Sequence, residues 1–165
     1  MNYPSSDSIG IVGQGFVGSA IREGLKSTFL IETYDKYDQD KSTCENLEQL
    51  CEKAFIIFLC LPTPMRKDGS CDLSILKSVV EEINSIASGD HILVIKSTVP
   101  PGTTSKLNEI YKNIKLVFSP EFLTEANSFE DFKNQNRIIV GGERPASTIV
   151  KNLLRVAFPK INIVK

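Results

Sequence analysis

The sequence predicts an α/β fold, a mainly parallel, doubly wound sheet with helices packed on both of its faces. Short, almost continuous apolar runs alternate along the chain with stretches in which apolar residues recur every three to four positions. Apolar runs of this kind are typical of parallel strands buried on both faces and joined by right-handed helical crossovers. A glycine-rich turn, Gly13 to Gly18, links the first apolar run to the first amphipathic stretch.

That turn has the glycine spacing of a Rossmann-like dinucleotide-binding loop. Gly13 would permit the tight turn, Gly15 would let the backbone approach a pyrophosphate, and Gly18 would let the helix pack closely on the strand. Phe16 and Val17 belong to the same predicted cofactor-binding loop, because unpaired amides at the start of a helix bind phosphates. A glycine-rich surface turn is the alternative for the motif taken alone.

The second strand, residues 29–34, ends in Asp35, which stands twenty residues beyond Gly15. An acid at this position can accept hydrogen bonds from the adenosine ribose hydroxyls, and its charge opposes a 2′-phosphate. The cofactor expected is therefore NAD and not NADP. Lys36 joins the predicted cofactor contacts, although a lysine there could also compensate a phosphate. An ordinary solvated acid is the alternative interpretation of Asp35.

The remaining elements continue the alternation. A Ser42-x-x-Glu45 capping-box pattern predicts a short helix that ends at Cys51, and Asp72 is expected to be the N-cap of a long amphipathic helix. Further strands are predicted at residues 54–60, 91–95, 115–118, 137–140 and 161–164. Further helices are predicted at residues 103–111, 125–132 and 146–157.

Length and charge limit the functional classes. A chain of 165 residues is expected to form a single domain, residues 1–165, with a sizeable core. The net charge of −1, with scattered Lys and Arg, gives no indication of a nucleic-acid partner. Met1 to Asp7 lacks the pattern of a secretion signal, and the longest apolar run, residues 54–61, is too short to cross a bilayer. These features predict a protein without membrane contact, and the cysteine usage indicates a reduced, cytoplasmic one.

No catalytic or metal-binding role is predicted for the cysteines and the histidine. Cys44, Cys51, Cys60 and Cys71 show neither a C-x-x-C pair nor a histidine at metal-ligand spacing, so no metal site is expected. Cys60 ends a strand near the cofactor loop, yet a core or semi-buried thiol is favoured because no cationic cluster beside it is evident. His91, which begins a strand, is expected to be structural or exposed.

The loops that leave the strands carry a more specific pattern. They contain Pro62-Thr63-Pro64 with Asp68-Gly69, Lys96 to Thr103, Pro120 to Glu125, and Asn136 to Gly142. In this order they resemble the N-terminal domain of the UDP-glucose/GDP-mannose dehydrogenase family, over essentially the whole chain. The resemblance implies an NAD-binding domain and a nucleotide-sugar substrate, UDP-glucose first among candidates, whose C6 alcohol is oxidised to the acid.

The resemblance also assigns roles to two threonines. The Thr63 hydroxyl would contact the cofactor from a loop held rigid by the flanking prolines, with a simple rigid turn as the alternative. Thr98, at the mouth of the fourth strand, would bind the cofactor near its nicotinamide or hold a catalytic water. Capping of the helix after Pro101 is the alternative for Thr98.

Two carboxylates complete the expected site. Glu121 and Glu125 are four residues apart and would share one helical face if Pro120 opens a turn. The resemblance implies that Glu125 acts in base chemistry or water activation, that Glu121 supports this catalytic site and binds substrate, and that Phe122 and Leu123 contact the nucleotide sugar. Exposed acids at a helix start are the alternative.

The resemblance covers only the N-terminal part of the enzymes in the family. The thiol and the lysine that the family uses have no counterpart before Lys165, because they lie on a central helix and a C-terminal catalytic domain beyond the residues given. We therefore expect the chain to be inactive alone and to need a partner C-terminal dehydrogenase domain. A non-catalytic module that binds NAD or a nucleotide sugar, and a β-hydroxyacid dehydrogenase-like N-terminal domain, are the alternatives.

Overall fold

The computed structural model of the protein describes residues 8–165, so the expectation for Met1 to Asp7 lies outside the described residues. The strands are β1 (Ser8–Val12), β2 (Leu30–Tyr34), β3 (Ile56–Leu59), β4 (His91–Ile95), β5 (Ile114–Phe118), β6 (Arg137–Ile139) and β7 (Asn162–Val164). The α-helices are α1 (Phe16–Leu25), α2 (Leu47–Lys53), α3 (Ser74–Ile86), α4 (Thr103–Ile110), α5 (Ser128–Lys133) and α6 (Ala146–Ala157). Short 3₁₀ turns cover Gln39–Lys41 and Glu125–Asn127.

The first five strands form one parallel sheet in the order β2-β1-β3-β4-β5. The chain passes from β1 to one side and then returns past β1 to build the other side. Such a reversal leaves a crevice outside the carboxyl ends of the central strands, which is where ligands bind in open α/β sheets. The predicted α/β, doubly wound, Rossmann-like class is confirmed.

Two hydrophobic cores lie on opposite faces of the sheet. One core packs α1, α5 and α6 against the side chains of Ile9, Ile11, Phe58 and Val94. The other packs α2, α3 and α4 against the alternate residues of the same strands. All residues of β3 and β4 are buried, as expected of central strands covered on both faces. Within residues 8–165, the structure contains no helix with the length and apolar character of a membrane span.

The last two strands differ from the expectation of one continuous parallel sheet. β6 and β7 pair with each other in a separate two-stranded parallel sheet. Gly141, just after β6, meets Phe118 of β5 in a single antiparallel bridge, with both N···O distances 2.7 Å. The bridge uses the outer N–H and C=O of Phe118, so β6 does not continue the ladder alongside β5.

Three predicted helix starts are also corrected. The Ser42 capping box does not form, because the Ser42 hydroxyl instead accepts the backbone N–H of Asp35 at 2.8 Å beside β2. Helix α2 begins later, where Asn46 accepts the N–H of Gln49 at 2.9 Å. Asp72 lies one residue before the N-cap of α3 and accepts the N–H of Ser74 at 2.9 Å. The predicted helix at residues 125–132 is a 3₁₀ turn followed by α5.

Gly24 sets the packing of α1 on α5 and leads to a first prediction. A Cβ added at Gly24 would lie 2.3 Å from two ring atoms of Phe132, whose ring also packs edge-on against Phe158 with 5.4 Å between centroids. We expect Gly24→Ala to lower the free energy of unfolding by about 1–3 kcal/mol, since the ring must leave its packed position. Urea unfolding at equilibrium measures this change.

The control is the double variant Gly24→Ala with Phe132→Leu. The smaller leucine vacates the space that the new methyl group needs, so the double variant should lose less stability than the sum of the two single changes. Helix propensity alone predicts that Gly24→Ala stabilises a helix interior by about 1 kcal/mol. Such a gain in stability would contradict the packing argument.

Candidate functional site

A cleft of about 1130 Å³ lies at the carboxyl edge of the five-stranded sheet. Residues that directly follow each of the five strands line it: Gly13, Asp35, Cys60, Lys96 and, after a short connection, Glu121. Because parallel strands place all their carboxyl ends at one edge, loops far apart in sequence meet here. The volume is at the upper end for ligand sites and suits an extended ligand such as a dinucleotide.

The glycine loop has the predicted backbone conformation. Gly13 has φ of +90°, and a Cβ there would lie 2.3 Å from the Cys60 carbonyl oxygen. A Cβ on Gly18 would lie 1.9 Å from the carbonyl oxygen of Gly13. The conformational roles predicted for these two glycines are thus confirmed, while their cofactor contacts stay a prediction.

Gly15 differs from the other two glycines because the space beside it is open. A Cβ there would meet no atom within 4 Å, and Gly15 is the N-cap of α1, where no side chain caps the helix. Phe16 and Val17, the first two residues of α1, line the same part of the cleft. The backbone amides of this helix start could therefore receive an anionic group, so the loop fits the pyrophosphate of a dinucleotide.

Asp35 lies at the end of β2 and is tied to the glycine loop. Its Oδ2 accepts the N–H of Gln14 at 2.6 Å, and its Oδ1 accepts those of Tyr37 at 2.9 Å and Asp38 at 3.1 Å. Burial alone would raise the pKa of Asp35, but these three N–H groups together with Lys41 lower it below its ordinary value. The carboxylate stays charged and retains acceptor capacity for a ribose hydroxyl.

The lowered pKa of Asp35 gives a second prediction. A carboxyl whose pKa is lower in the folded state stabilises the fold above its unfolded pKa, and this contribution is lost as the pH falls through the folded pKa. We expect Asp35→Asn to be less stable than the wild type near neutrality, with the difference shrinking below about pH 4. Urea unfolding across that range measures it.

Asp40→Asn is the matched control, because Asp40 is an exposed carboxylate of the same segment. The free energy of unfolding of Asp40→Asn should equal that of the wild type at every pH. A gap between Asp35→Asn and the wild type that stays constant from pH 6 to the acid limit would show that the charge of Asp35 does not stabilise the fold.

Lys36 is exposed at the rim of the cleft, with its ammonium 5.9 Å from the centroid of the Tyr37 ring. The structure therefore places both Asp35 and Lys36 at the end of the cleft beside β2. Lys41 also lines the cleft there and lies 2.7 Å from Asp38. The local sequence pattern did not single out Lys41, since its position at the cleft depends on the turn between β2 and α2.

Two hydroxyl side chains fasten the loop after β3 to the loop after β4. The Thr63 hydroxyl donates to the Thr98 carbonyl at 2.7 Å. Ser97 donates to the Leu61 carbonyl at 2.6 Å and accepts the Leu61 N–H at 3.1 Å. Thr63 and Thr98 both line the cleft, so the structure brings these two predicted site residues together, while their contacts with a cofactor stay a prediction. Helix α4 has Gly102 as its N-cap without a side-chain cap, so the capping alternative for Thr98 is wrong.

Glu121 forms a buried ion pair that the sequence did not indicate. Its Oε2 lies 2.9 Å from Nζ of Lys96, and each side chain is 5% exposed. Nζ of Lys96 also donates to the Ser119 hydroxyl at 3.3 Å. The expected helical turn after Pro120 does not form, so Glu121 and Glu125 share no helical face, and Glu121 is not an exposed helix-start acid. No signal in one sequence would have paired two residues in the loops that follow β4 and β5.

A second cavity of about 340 Å³ adjoins the cleft. Glu121 and Leu123 line both spaces, whereas Phe122 and Arg137 line only the smaller one, with the Arg137 guanidinium 5.7 Å from the Phe122 ring centroid. Glu125 is exposed in the following 3₁₀ turn and lines neither space. The structure thus brings Glu121 and Leu123 to a wall shared by the two spaces, places Phe122 in the smaller cavity alone, and leaves Glu125 outside both.

The thiols and the histidine have the structural character expected. Burial raises the pKa of Cys60 to about 12, with Lys96 lowering it and Glu121 raising it to smaller extents. Burial likewise raises the pKa of Cys51 to about 12. His91 is buried at the opposite edge of the sheet, stacked on Phe55 and 2.9 Å from the Cys51 carbonyl. Among residues 8–165, no cluster of three potential metal-ligating side chains occurs.

Comparisons with known proteins agree with this geometry. Residues 30–158 match the UDP-glucose/GDP-mannose dehydrogenase family, NAD binding domain. A UDP-glucose 6-dehydrogenase of Rhizobium meliloti is 34% identical over 104 residues, which are 59% of this chain and 24% of that protein. An uncharacterized protein of Methanocaldococcus jannaschii is 47% identical over 92 residues, 53% of this chain and 10% of that one.

A solved structure shows the same fold. The UDP-glucose dehydrogenase of Pyrobaculum islandicum superposes with a TM-score of 0.80 at 22% identity, over 99% of this chain and 48% of that one. The chain therefore spans about a quarter or less of the curated relatives named above, and just under half of this solved structure.

Proposed function

The chain belongs to the UDP-glucose/GDP-mannose dehydrogenase family, in which it is the NAD-binding domain, and we propose that its cleft serves the oxidation of a nucleotide sugar, UDP-glucose first among candidates. The observation that carries the proposal is the shared wall at Glu121, which borders both the cofactor cleft and the smaller cavity. A substrate in the smaller cavity would be adjacent to a cofactor in the cleft, as hydride transfer requires.

The residues around the cleft fit NAD. Asp35 would accept the adenosine ribose hydroxyls, and its charge would reject a 2′-phosphate. Gly13, Gly15 and Gly18, with Phe16 and Val17, would hold the pyrophosphate at the start of α1. The bound cofactor would supply the hydride acceptor for alcohol oxidation. Lys36 and Thr63 would border its two ends.

The catalytic groups that we propose are Glu121, in the wall shared by the two spaces, and Thr98, in the lining of the cleft. Glu121 would take up the proton of the substrate hydroxyl, and the Thr98 hydroxyl would orient that oxygen or a water at the mouth of the cleft. Glu125, which lies outside both spaces, keeps the water-activating role that the resemblance implies only if its segment moves toward the substrate. Phe122 and Leu123 would contact the nucleotide sugar.

Oxidation to the acid would also need a reactive thiol. The raised pKa values of Cys44, Cys51 and Cys60 make these thiols poor nucleophiles. We propose that the thiol comes from a dehydrogenase catalytic domain outside residues 1–165, which would act as the partner of this domain. Under this proposal the cleft binds the cofactor, the smaller cavity binds the nucleotide sugar, and the partner domain completes the chemistry.

Calorimetric titration of the purified chain tests cofactor binding. NAD should bind at least about tenfold more tightly than NADP, which corresponds to about 1.4 kcal/mol. UDP-glucose and GDP-mannose titrated into the NAD-saturated chain then compare the two substrate classes. Absence of NAD binding up to millimolar concentrations would refute the proposed cofactor role.

Turnover separates the dehydrogenase from a module that only binds. NADH formation from UDP-glucose should appear when the chain is mixed with the thiol-bearing C-terminal part of a UDP-glucose 6-dehydrogenase, and Glu121→Gln should abolish it. The matched control is Glu143→Gln, an exposed glutamate that lines neither space. Tight NAD binding with no restored turnover would favour the non-catalytic module.

A further inference from the structure

The buried pair of Lys96 and Glu121 lies in the wall of the cofactor cleft. Lys96 directly follows β4 and Glu121 follows β5, and both line the cleft together with Cys60. Lys96 contacts Oε2 of Glu121 and the Ser119 hydroxyl. Oε2 of Glu121 is buried and accepts no hydrogen bond, so its contact with Lys96 is an ion pair without hydrogen-bond geometry.

Stability alone does not account for this pair. Desolvating two charges costs several kcal/mol, and apolar residues of similar size often replace a buried ion pair without loss. The pair therefore calls for a role that needs both charges at this place. Its position relative to the ends of the cleft indicates what that role is.

The cleft has two chemically different ends. Asp35 and Lys36 mark the end beside β2, where the adenosine half would bind, and Gly13 to Gly18 mark the middle beside β1. β3, β4 and β5 follow in order on the other side, so the second half of a dinucleotide that crosses the middle would lie on the side of Lys96 and Glu121. In the proposed complex with NAD, that half would be the nicotinamide.

The charge of the nicotinamide depends on its redox state. The oxidised ring carries a positive charge, and the reduced ring is neutral. A lone carboxylate in a low-dielectric wall would attract the oxidised ring strongly, and a lone ammonium would repel it, because charges a few ångströms apart are weakly screened there. Two opposite charges 2.9 Å apart present little net charge to a ligand.

We propose that Lys96 neutralises Glu121 at the nicotinamide end of the cleft, so that oxidised and reduced cofactor bind with similar affinity. The carboxylate can then serve the substrate hydroxyl without binding the oxidised cofactor much more tightly than the reduced one. This role rests on the proposed NAD-binding function, and it makes Lys96 a positioning residue that acts through Glu121.

The test compares the dissociation constants of NAD⁺ and NADH by calorimetry at pH 8 in four variants. Lys96→Met should raise the ratio Kd(NADH)/Kd(NAD⁺) at least about tenfold, because the carboxylate is left uncompensated. Glu121→Gln should lower the same ratio by a similar factor. The double variant Lys96→Met with Glu121→Gln, and the charge-conserving Lys96→Arg, should stay within about threefold of the wild type.

Opposite shifts in the two single variants, cancelled in the double variant, support the proposal. A merely structural pair would weaken both cofactor forms equally and leave the ratio unchanged. An unchanged ratio in both single variants would overturn the proposal.

A second measurement uses the wild-type chain and does not depend on how the variants fold. Backbone amide signals in NMR are compared after saturation with NAD⁺ and with ADP-ribose, which lacks the nicotinamide. Both ligands should move the signals of Gly13 to Gly18, but only NAD⁺ should move those of Lys96, Ser119 and Glu121. Equal shifts at the latter three residues would show that the nicotinamide does not reach the pair.

The two proposals can fail separately. A chain that binds neither NAD⁺ nor ADP-ribose refutes the proposed function. A chain that binds both but gives the same signals at Lys96 and Glu121, or an unchanged affinity ratio, refutes only the neutralisation by Lys96.

Discussion

Gly18→Ala is expected to lower the free energy of unfolding by about 3 kcal/mol or more. The added Cβ would lie 1.9 Å from the Gly13 carbonyl oxygen, and both atoms belong to the backbone or are fixed to it. No rotamer change can relieve this clash, so α1 would have to move away from the turn. Since that movement opens the loop, NAD binding should be lost together with stability.

Gly15→Ala provides the matched comparison within the same loop. A Cβ there meets no atom within 4 Å, and the residue has φ of −67° and ψ of −165°, which alanine adopts freely. The free energy of unfolding should stay within about 0.5 kcal/mol of the wild type. The methyl group would project into the space proposed for the pyrophosphate, so NAD affinity should fall at least about 100-fold.

Urea unfolding and calorimetric NAD titration of the two variants separate folding from binding. The expected pattern is a stability loss confined to Gly18→Ala and a binding loss in both. Gly15→Ala with wild-type affinity would show that the pyrophosphate does not approach this glycine. Gly18→Ala with wild-type stability would contradict the close contact between α1 and the turn.

Lys96→Met is expected to destabilise the chain by about 3–5 kcal/mol at neutral pH, because it leaves the carboxylate of Glu121 buried without its cation. Methionine keeps the length and the apolar stem of lysine, so lost packing contributes little. Adding Glu121→Gln removes the orphaned charge, and the double variant should regain most of the loss. Urea unfolding of the two single variants and the double variant gives the coupling energy of the pair.

The control for the loss of a positive charge is an exposed lysine. Lys77→Met removes a charge from an exposed position of α3 and should change stability by no more than about 0.5 kcal/mol. Additive losses in the Lys96 and Glu121 single variants, with no recovery in the double variant, would show that the two charges do not interact as the 2.9 Å separation implies.

The helices and central strands were predictable because their signals are local. The apolar runs of β1, β3 and β4 and the periodicity of α3 and α6 lie within each segment. The glycine loop was predictable for the same reason, since a side chain on Gly18 would clash with the carbonyl oxygen of Gly13, only five residues earlier. The pattern at Ser42 does not start a helix, because the Ser42 hydroxyl accepts the N–H of Asp35, the residue that directly follows β2.

The separate β6–β7 sheet shows the limit of periodicity. The apolar pattern of residues 137–140 and 161–164 indicates strands correctly but does not say which neighbour each one joins. The backbone of Gly141 hydrogen-bonds to the backbone of Phe118 in an antiparallel bridge. This contact depends on the path of the chain after α5. Pairing partners are long-range properties, since they depend on the geometry of the connections.

The sequence by itself determined the α/β class, the glycine loop, the acidic end of β2 and the family resemblance. Each of these depends on residues adjacent along the chain or on motif order. Only the tertiary structure decided that Glu121 pairs with Lys96 in the wall of the cleft and that Glu125 stays outside it. The physical reason is that parallel strands bring their carboxyl ends together in space, so the charges that face one another there come from loops far apart in the sequence.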